Sequence, residues 1–402
     1  MQLKPQPPRQ TSRRLCPFPS RARFEVHLRG IGYSHPVRGV VVILAVAALV
    51  GCDRTPTAPA PPPASTQPGR ERVSVRFLAP LAPARTTHLA RSGEGTIWWV
   101  QETESGDDVV FAMGADGVPR ATALTSARVL EALELTQAAN PRGNFHSLAA
   151  DRDGRVWFYF AGRAGRRPVA CVGRFDPRDG AVRIVISLQQ VQEATGMGAS
   201  LVLARGTVLA LGRGEELWLW VRHSDGSRML RVDAATGTFW SAFEEVTTES
   251  ARLLSMTRPN LAPGAAADGL LLIDPGNVEL WRIDAAGRAK SLHALVGLPT
   301  VLSTPTADAK GRAIFVAADA PLIPARTEEE AAQILPVRYP AVLIVESGKL
   351  RAIGRDRIDV PQGLALESMR IQQLLAEPEA ETLIGYDEHS GALVRLKITA
   401  EQ

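Results

Sequence analysis

The sequence contains few cysteines, and their positions limit what can stabilise the protein. The only cysteines among the 402 residues are Cys16, Cys52 and Cys171. The first two precede the body of the chain, residues 72–402, so the body has a single thiol. The body can therefore form neither an internal disulfide nor a cysteine-based metal site. We expect Cys171 to be a buried packing residue and the hydrophobic core to supply the stability.

Several motifs that bind ligands or carry catalysis are also absent. The sequence has no Gly-x-Ser-x-Gly nucleophile elbow. Gly212 and Gly214 lack the Gly-Lys-Ser/Thr that completes a phosphate-binding loop, and Asp151 and Asp153 lack the later ligands of an EF-type calcium loop. We therefore predict no metal site and no cofactor, and we expect both aspartates to be turn residues.

The chain lacks an apolar run long enough to cross a membrane comfortably. The run Gly39–Gly51 has thirteen uncharged residues, whereas a spanning helix needs about 20. With Arg38 before it and small residues at its end, this run is typical of a signal-peptide hydrophobic region. Residues 1–37 are unusually long for the basic region of such a peptide. One hypothesis is that translation begins near Val37, which N-terminal mass spectrometry of the precursor tests.

The end of the apolar run, Leu49-Val50-Gly51-Cys52, resembles the lipobox of bacterial lipoproteins. The resemblance implies signal cleavage after Gly51 and lipidation of the Cys52 sulfur, which anchors the chain to a membrane. Two or three acyl chains anchor firmly, since each buried CH₂ contributes about 0.8 kcal/mol. The alternative is an ordinary thiol after a chance apolar run.

The residues after Cys52 predict a spacer between the lipid and a folded domain. Six prolines lie within residues 54–69, a composition typical of an extended polyproline-II segment. The predicted organisation is a leader and lipoprotein signal peptide over 1–51, a lipidated cysteine and linker over 52–71, and one domain over 72–402. The predicted location is the bacterial cell envelope, facing the periplasm or the exterior.

The net charge of +4 belongs to the leader. Residues 1–51 contain eight basic side chains and one acidic one, which leaves 38 basic and 41 acidic side chains in residues 52–402. The exported part is slightly acidic, so we expect no nucleic-acid partner.

One structural unit recurs from residue 87 onward. It has two pairs of short β-rich runs, and each pair is joined by a turn containing glycine, the residue that most readily adopts the positive φ of tight hairpins. The second turn of each unit contains one of six glycines: Gly117, Gly180, Gly237, Gly287, Gly348 and Gly391. Six such units predict an all-β fold, a β-propeller of about six four-stranded blades. Most of the five tryptophans in these runs are expected to pack between blades, and the alternative is that one or two line a binding face: Trp98, Trp99, Trp157, Trp218 and Trp220.

Extra sequence between the units predicts short helices that decorate one face of the disc. Thr125–Ala139, Leu188–Thr195 and Gly363–Leu375 have helical spacing of apolar residues. Thr327–Glu330 has the form of a capping box, which predicts the start of a further short helix.

The second unit carries a resemblance to known repeats. Phe145-His-Ser-Leu-Ala-Ala-Asp-Arg-Asp-Gly-Arg-Val-Trp-Phe158 is similar to the repeat of two-component-regulator and streptogramin-lyase-like propellers, an acidic residue and Gly before an aliphatic-Trp-aromatic run. The resemblance covers the first three units clearly and implies the propeller fold. For an enzyme of that kind it also implies a divalent metal, held by His and carboxylates at the channel mouth. Such repeats occur in enzymes, sensors and scaffolds, so the resemblance implies no one activity.

Histidines are the candidate chemical residues of the body, at positions 88, 146, 223, 293 and 389. His88 and His146 occupy adjacent columns of the repeat, so strand alternation predicts that they point to opposite faces and do not pair. His223 and His389 lie beside turns and are expected to be solvated. His146 is the best candidate for a catalytic residue, because an inner-strand position can face the channel.

These observations favour a non-enzymatic cell-envelope lipoprotein whose propeller binds a partner protein or a small ligand. The alternative is a metal-dependent lyase or gluconolactonase-like hydrolase with its site at the channel mouth. The two differ in one feature. The enzyme needs two or more carboxylates or histidines that converge from the inner strands of different blades.

Overall fold

The folded part of the chain is a ring of β-sheets. The computed structural model describes residues 71–81, 86–138, 140–195, 208–211, 217–223, 226–233, 238–241, 260–266, 269–274, 279–284, 286–325, 327–332, 334–377 and 381–400. The predicted signal peptide, Cys52 and the proline-rich linker lie outside these residues. The first described strand is β1 (Glu71–Pro80).

Twenty-four further strands follow β1 among the described residues. Blade 1 contains β2 (Thr86–Arg91), β3 (Ile97–Glu102), β4 (Asp108–Met113) and β5 (Pro119–Thr125). Blade 2 contains β6 (Pro141–Ala150), β7 (Val156–Ala164), β8 (Arg167–Asp176) and β9 (Ala181–Ser187). Blade 3 contains β10 (Val208–Leu211), β11 (Leu217–His223), β12 (Gly226–Val232) and β13 (Phe239–Ser241). Blade 4 contains β14 (Asn260–Ala266), β15 (Gly269–Asp274), β16 (Glu279–Asp284) and β17 (Ala289–Ala294).

The last two sheets complete the ring. Blade 5 contains β18 (Thr306–Ala307), β19 (Ala313–Ala317), β20 (Ala341–Glu346) and β21 (Lys349–Ile353). The closing sheet, blade 6, contains β22 (Ile358–Asp359), β23 (Ile371–Glu377), β24 (Thr382–Asp387), β25 (Ala392–Ala400) and β1. The chain is a β-propeller, as its sequence predicts. Five of its sheets have four strands and the closing sheet has five, close to the expected propeller of about six four-stranded blades.

The ring is closed by pairing the two ends of the domain. Strand β1 runs antiparallel to β25, from Glu71 opposite Ala400 to Pro80 opposite Ala392. Strand β22 adds to the outer side of β1 in parallel, with Val73 opposite Ile358. The first strand of the domain is thus the fourth strand of its last blade. Because β1 and β25 pair within one sheet, the two ends of the domain are joined and the ring is closed.

Six hydrophobic clusters fill the ring, one at each junction between neighbouring blades. Successive side chains of a strand point to opposite faces of its sheet. In β3, Trp98 packs towards blade 2 and Trp99 towards blade 6. The middle strands are therefore buried on both faces, which explains their continuous apolar sequences. All five tryptophans predicted to be core residues are buried, as is Cys171.

A recurrent hairpin turn uses an aspartate and an arginine four residues later. Asp151 accepts hydrogen bonds from the backbone N–H of Arg155 at 2.9 Å and from its Nε at 2.6 Å. The turns Asp284–Arg288 and Asp308–Arg312 repeat both bonds. Asp153 forms an ion pair with Arg155 at 2.7 Å. The prediction that Asp151 and Asp153 are turn residues is confirmed.

Helices occupy three of the predicted insertions. They are α1 (Ser126–Ala132), α2 (Leu188–Thr195) and α3 (Glu328–Ala331), and the Oγ1 of Thr327 accepts the N–H of Glu330 as the capping box predicts. The prediction of a helix over Gly363–Leu375 is wrong. Residues Leu366–Ser368 form a single 3₁₀ turn, and the chain then enters β23. In the described part of the chain, no helix combines the length and apolarity that crossing a bilayer requires.

Candidate functional site

The first strand of each blade is the innermost, and neighbouring innermost strands contact one another around the central axis. Four of them, β2, β6, β14 and β23, contain a register shift in their ladder to the second strand of the same blade. A β-bulge of this kind leaves an extra residue unpaired, bends the strand and re-aims its side chains. Four of the six innermost strands thus carry an irregularity at the axis, where a propeller presents its channel.

His146 lies in one of these bulges. In β6, Phe145 is opposite Phe160 and Ser147 is opposite Tyr159, so His146 is the extra residue. Its ring is half-buried, and its centroid lies 6.3 Å from that of Tyr159. The predicted inner-strand position of His146 is therefore the observed one.

His88 lies in the corresponding bulge of the neighbouring blade. Thr87 is opposite Val100 and Ala90 is opposite Trp98, so His88 and Leu89 share one partner. His88 has a φ of 57°, in the left-handed region, which is uncommon outside glycine. It is close enough to His146 for each charge to disfavour the other. Strict alternation does not hold through a bulge, so the expectation that the two histidines point to opposite faces and do not pair stays a prediction.

Each of the two histidine bulges is held by a polar side chain of the preceding blade. The Oδ2 of Asp108, in blade 1, accepts the N–H of Phe145 at 2.8 Å, directly before His146. The Oε1 of Gln373, in blade 6, accepts the N–H of Leu89, directly after His88. Backbone N–H groups that a bulge takes out of the ladder need another acceptor when buried, and these side chains supply it.

The bulge of β23 is held in the same way. The Oγ1 of Thr304, in the segment before β18, accepts the N–H of Leu374 at 3.1 Å. The N–H of Thr304 donates to the carbonyl of Gln372 at 2.9 Å. Gln372 is the extra residue of this bulge and is exposed. Blades 5, 6 and 1 thus each fix the bulge of the next blade. We call His88, His146 and Gln372 the bulge residues.

Burial sets the charge of the site. Burial, together with a smaller repulsion from His146, lowers the pKa of His88 from 6.5 to about 4. His88 is therefore neutral at pH 7 and has one donor and one acceptor nitrogen. Burial also raises the pKa of Asp108 to about 6, against the opposing effect of the hydrogen bonds from Phe145 and Asn144. Asp108 remains largely ionised at pH 7.

The other histidines lie away from these bulges. His389 is exposed in the turn before β25, as predicted, and His223 ends β11. His293 is half-buried on β17, opposite Leu280. Burial lowers its pKa, while a hydrogen bond to the backbone of Gly348 acts in the opposite direction.

A metal like that of the lyase-type propellers does not fit the donors that the structure describes. Within those residues, no three His, Cys, Asp or Glu side chains lie close enough together to hold a metal ion. The Oδ2 of Asp108 is occupied by the N–H of Phe145. His88 and His146 supply two donors, whereas a catalytic zinc site has three protein ligands.

Sequence reasoning missed the side chains that hold the bulges. Asp108 follows Gly106 and Asp107 and has the sequence context of any turn acid. Gln373 lies inside the segment wrongly predicted as a helix. Thr304 lies in a stretch for which no element was predicted. No periodic signal marks these positions, because their partners are backbone groups of another blade.

Comparisons with known proteins give similarity of fold. No protein-family model matches the chain, and no curated protein matches it. Similar solved structures include streptogramin B lyase, with 11% identity and a TM-score of 0.42 over 82% of this chain and 98% of that one. The calcium-binding protein regucalcin from Agrobacterium tumefaciens has 13% identity and a TM-score of 0.46, and the match covers 80% of this chain and 94% of that one. A gluconolactonase from Xanthomonas campestris has 14% identity and a TM-score of 0.47 over 85% and 99%. These likenesses concern the fold alone.

Proposed function

We propose that this protein is a lipid-anchored, non-enzymatic propeller of the bacterial cell envelope that binds a small polar ligand at the bulge residues. The observation that carries the proposal is that His88 and His146, from two neighbouring blades, each lie in a bulge of an innermost strand that the preceding blade fixes. A bulge costs ladder hydrogen bonds. Holding several of them at the axis is consistent with positioning side chains for a ligand.

The chemistry of the site favours an uncharged ligand rich in hydroxyl or amide groups. A neutral His88 both donates and accepts, and the amide of Gln372 does the same. Burial around His88 disfavours its own charged form. A saccharide-like molecule would satisfy these groups without bringing a charge into the site.

Replacing His146 tests this proposal. We expect neutral saccharides in a ligand-observed NMR screen to bind the wild-type domain and to lose at least about tenfold in affinity in His146→Ala, as an unpaired buried polar group costs 1–3 kcal/mol. His389→Ala is the matched control, because His389 lies in an exposed turn. The proposal fails if no saccharide binds at millimolar concentration, or if both variants bind equally.

Lipid anchoring is tested separately on the full chain. We expect radiolabelled palmitate to be incorporated into the wild-type protein in a bacterial host and to be absent from Cys52→Ala, because the thiol of Cys52 is the predicted acceptor. Cys171→Ala should label like the wild type, since Cys171 is buried in the propeller. Equal labelling of Cys52→Ala and the wild type would show that the anchor lies elsewhere.

The alternative is a metal-dependent lyase or gluconolactonase-like hydrolase with its site at the channel mouth, which would use the same two histidines. Hydrolysis of a sugar lactone, followed with and without added calcium or manganese, separates the two. Turnover that requires the metal and disappears in His146→Ala would support the enzyme. Saturable saccharide binding without turnover would support the ligand-binding protein.

A further inference from the structure

A cavity lies between blades 4 and 5, and none of the bulge residues lines it. Its volume is about 450 Å³. Its walls come from β15, β16 and β17 of blade 4 and, in blade 5, from β19 with the turn before it and from β20 with the turn after it. No lining residue belongs to an innermost strand. We call this cavity the blade 4–5 cleft, and its volume is within the range of small-molecule sites.

The cleft has an excess of positive charge. Its lining contains one carboxylate, that of Glu346, and four cations: Arg282, Lys290, Lys310 and Arg312. Arg312 is buried and neutralised by Asp308 at 2.6 Å and Glu71 at 3.4 Å. Lys310 pairs with Glu381 at 2.8 Å, but both side chains are more than half exposed, so this pair is weak.

Two of the cations face each other across one ladder. Arg282 on β16 is directly opposite Lys290 on β17, so their side chains emerge on the same face of the sheet, and both line the cleft. Like charges directly opposite one another destabilise an antiparallel pair. Lys290 is exposed and has no ion pair among the described residues. An anion bound between the two side chains would interact favourably with both.

The cleft also has an apolar part. Leu271, Ala313 and Val345 are buried members of the cluster between blades 4 and 5, and Leu292 packs against that cluster. Leu271 is directly opposite Arg282 in its ladder, so hydrocarbon and cations lie side by side in the cleft. An organic anion can contact both, whereas an inorganic anion contacts only the cations.

We infer that the blade 4–5 cleft binds a small organic anion with an apolar body, with Lys290 and Arg282 contacting its charged group and Leu271 and Val345 contacting its apolar body. The site is independent of the bulge residues, so a variant that disables one should leave the other intact. Binding should weaken as salt is raised, because Lys290 is exposed and its charge is screened.

The test uses naphthalenesulfonate as the probe, with neutral naphthalenesulfonamide and inorganic phosphate as comparisons, in ligand-observed NMR on the whole propeller. We expect the sulfonate to bind at least about tenfold more tightly than either comparison, which corresponds to one charge-assisted contact. Lys290→Glu should lower its affinity by about tenfold or more, and Lys290→Ala by less. Lys397→Ala, an exposed lysine on β25, and His146→Ala should bind like the wild type.

Several results would overturn the inference. They are equal affinity for sulfonate and sulfonamide, equal affinity for sulfonate and phosphate, unchanged affinity in Lys290→Glu, and no sulfonate binding at millimolar concentration. The melting temperature of each variant shows whether it has folded. If Lys290→Glu disturbs β17, the sulfonate affinity of Lys290→Ala still tests the inference.

Discussion

A propeller that begins at residue 81 is expected to lose its cooperative fold. That truncation removes β1, which pairs with β25 along its whole length and carries β22 on its other side. It also removes Val73 and Val75, which are 0% and 4% exposed. Burying these two side chains contributes roughly 3–6 kcal/mol, a large part of the 5–15 kcal/mol typical of a whole domain. The backbone edge of β25 would also be left unpaired.

The matched control is a chain that begins at residue 70, which lacks the leader and linker but keeps β1. Urea unfolding followed by circular dichroism should give this control one sharp transition. The chain from residue 81 should give a broad transition at much lower urea or none. If the two midpoints agree, the ring does not depend on β1 for closure. A synthetic peptide of residues 71–80 should restore the transition if β1 acts by pairing.

The repeat pattern predicted the fold because hairpin turns and continuous apolar strands leave strong local signals. The closing blade shows where that pattern ends. Gly391 was grouped with the second turns of the other units, but it lies between β24 and β25, the second and third strands of blade 6. The fourth strand comes from the other end of the domain. This explains why Gly348 and Gly391 are closer in sequence than any other two consecutive glycines of the six.

Helix signals were reliable where a cap supported them. Thr125 and Thr327 cap α1 and α3 with their hydroxyl oxygens. Gly363–Leu375 has helical spacing as well, yet no side-chain cap bond begins its 3₁₀ turn. Its apolar residues Ile371 and Leu374 instead fill the cluster between blades 5 and 6. Tertiary packing therefore overrides the local periodicity here.

The candidate site was only partly predictable. Repeat position alone places His146 on an innermost strand. The electrostatic interaction between His146 and His88 could not be predicted in this way. Both residues lie in bulges, and a bulge changes which face of the sheet a residue occupies. The acceptors that hold these bulges, Asp108 and Gln373, are far from them in sequence. A single sequence contains no periodic trace of a contact between a side chain and the backbone of another blade.

Replacing Asp108 by asparagine is expected to stabilise the protein at neutral pH. Asp108 is 5% exposed, and burial raises its pKa from 3.8 to about 6. The folded state therefore binds the proton more tightly than the unfolded state. The contribution of this group to stability is greatest below about pH 4 and is lost as pH rises through 6. Asparagine has no such dependence, and its oxygen can still accept the N–H of Phe145.

Urea unfolding of the wild type, Asp108→Asn and Asp108→Ala across pH tests this assignment. The free energy of unfolding of Asp108→Asn relative to the wild type should rise by about 2 kcal/mol between roughly pH 4.5 and 7.5. Asp108→Ala should lie about 1–3 kcal/mol below Asp108→Asn at every pH, because the N–H of Phe145 is then unpaired. A pH-independent gap between wild type and Asp108→Asn would refute the raised pKa. Equal stabilities of the two variants would show that the hydrogen bond to Phe145 does not hold the His146 bulge in place.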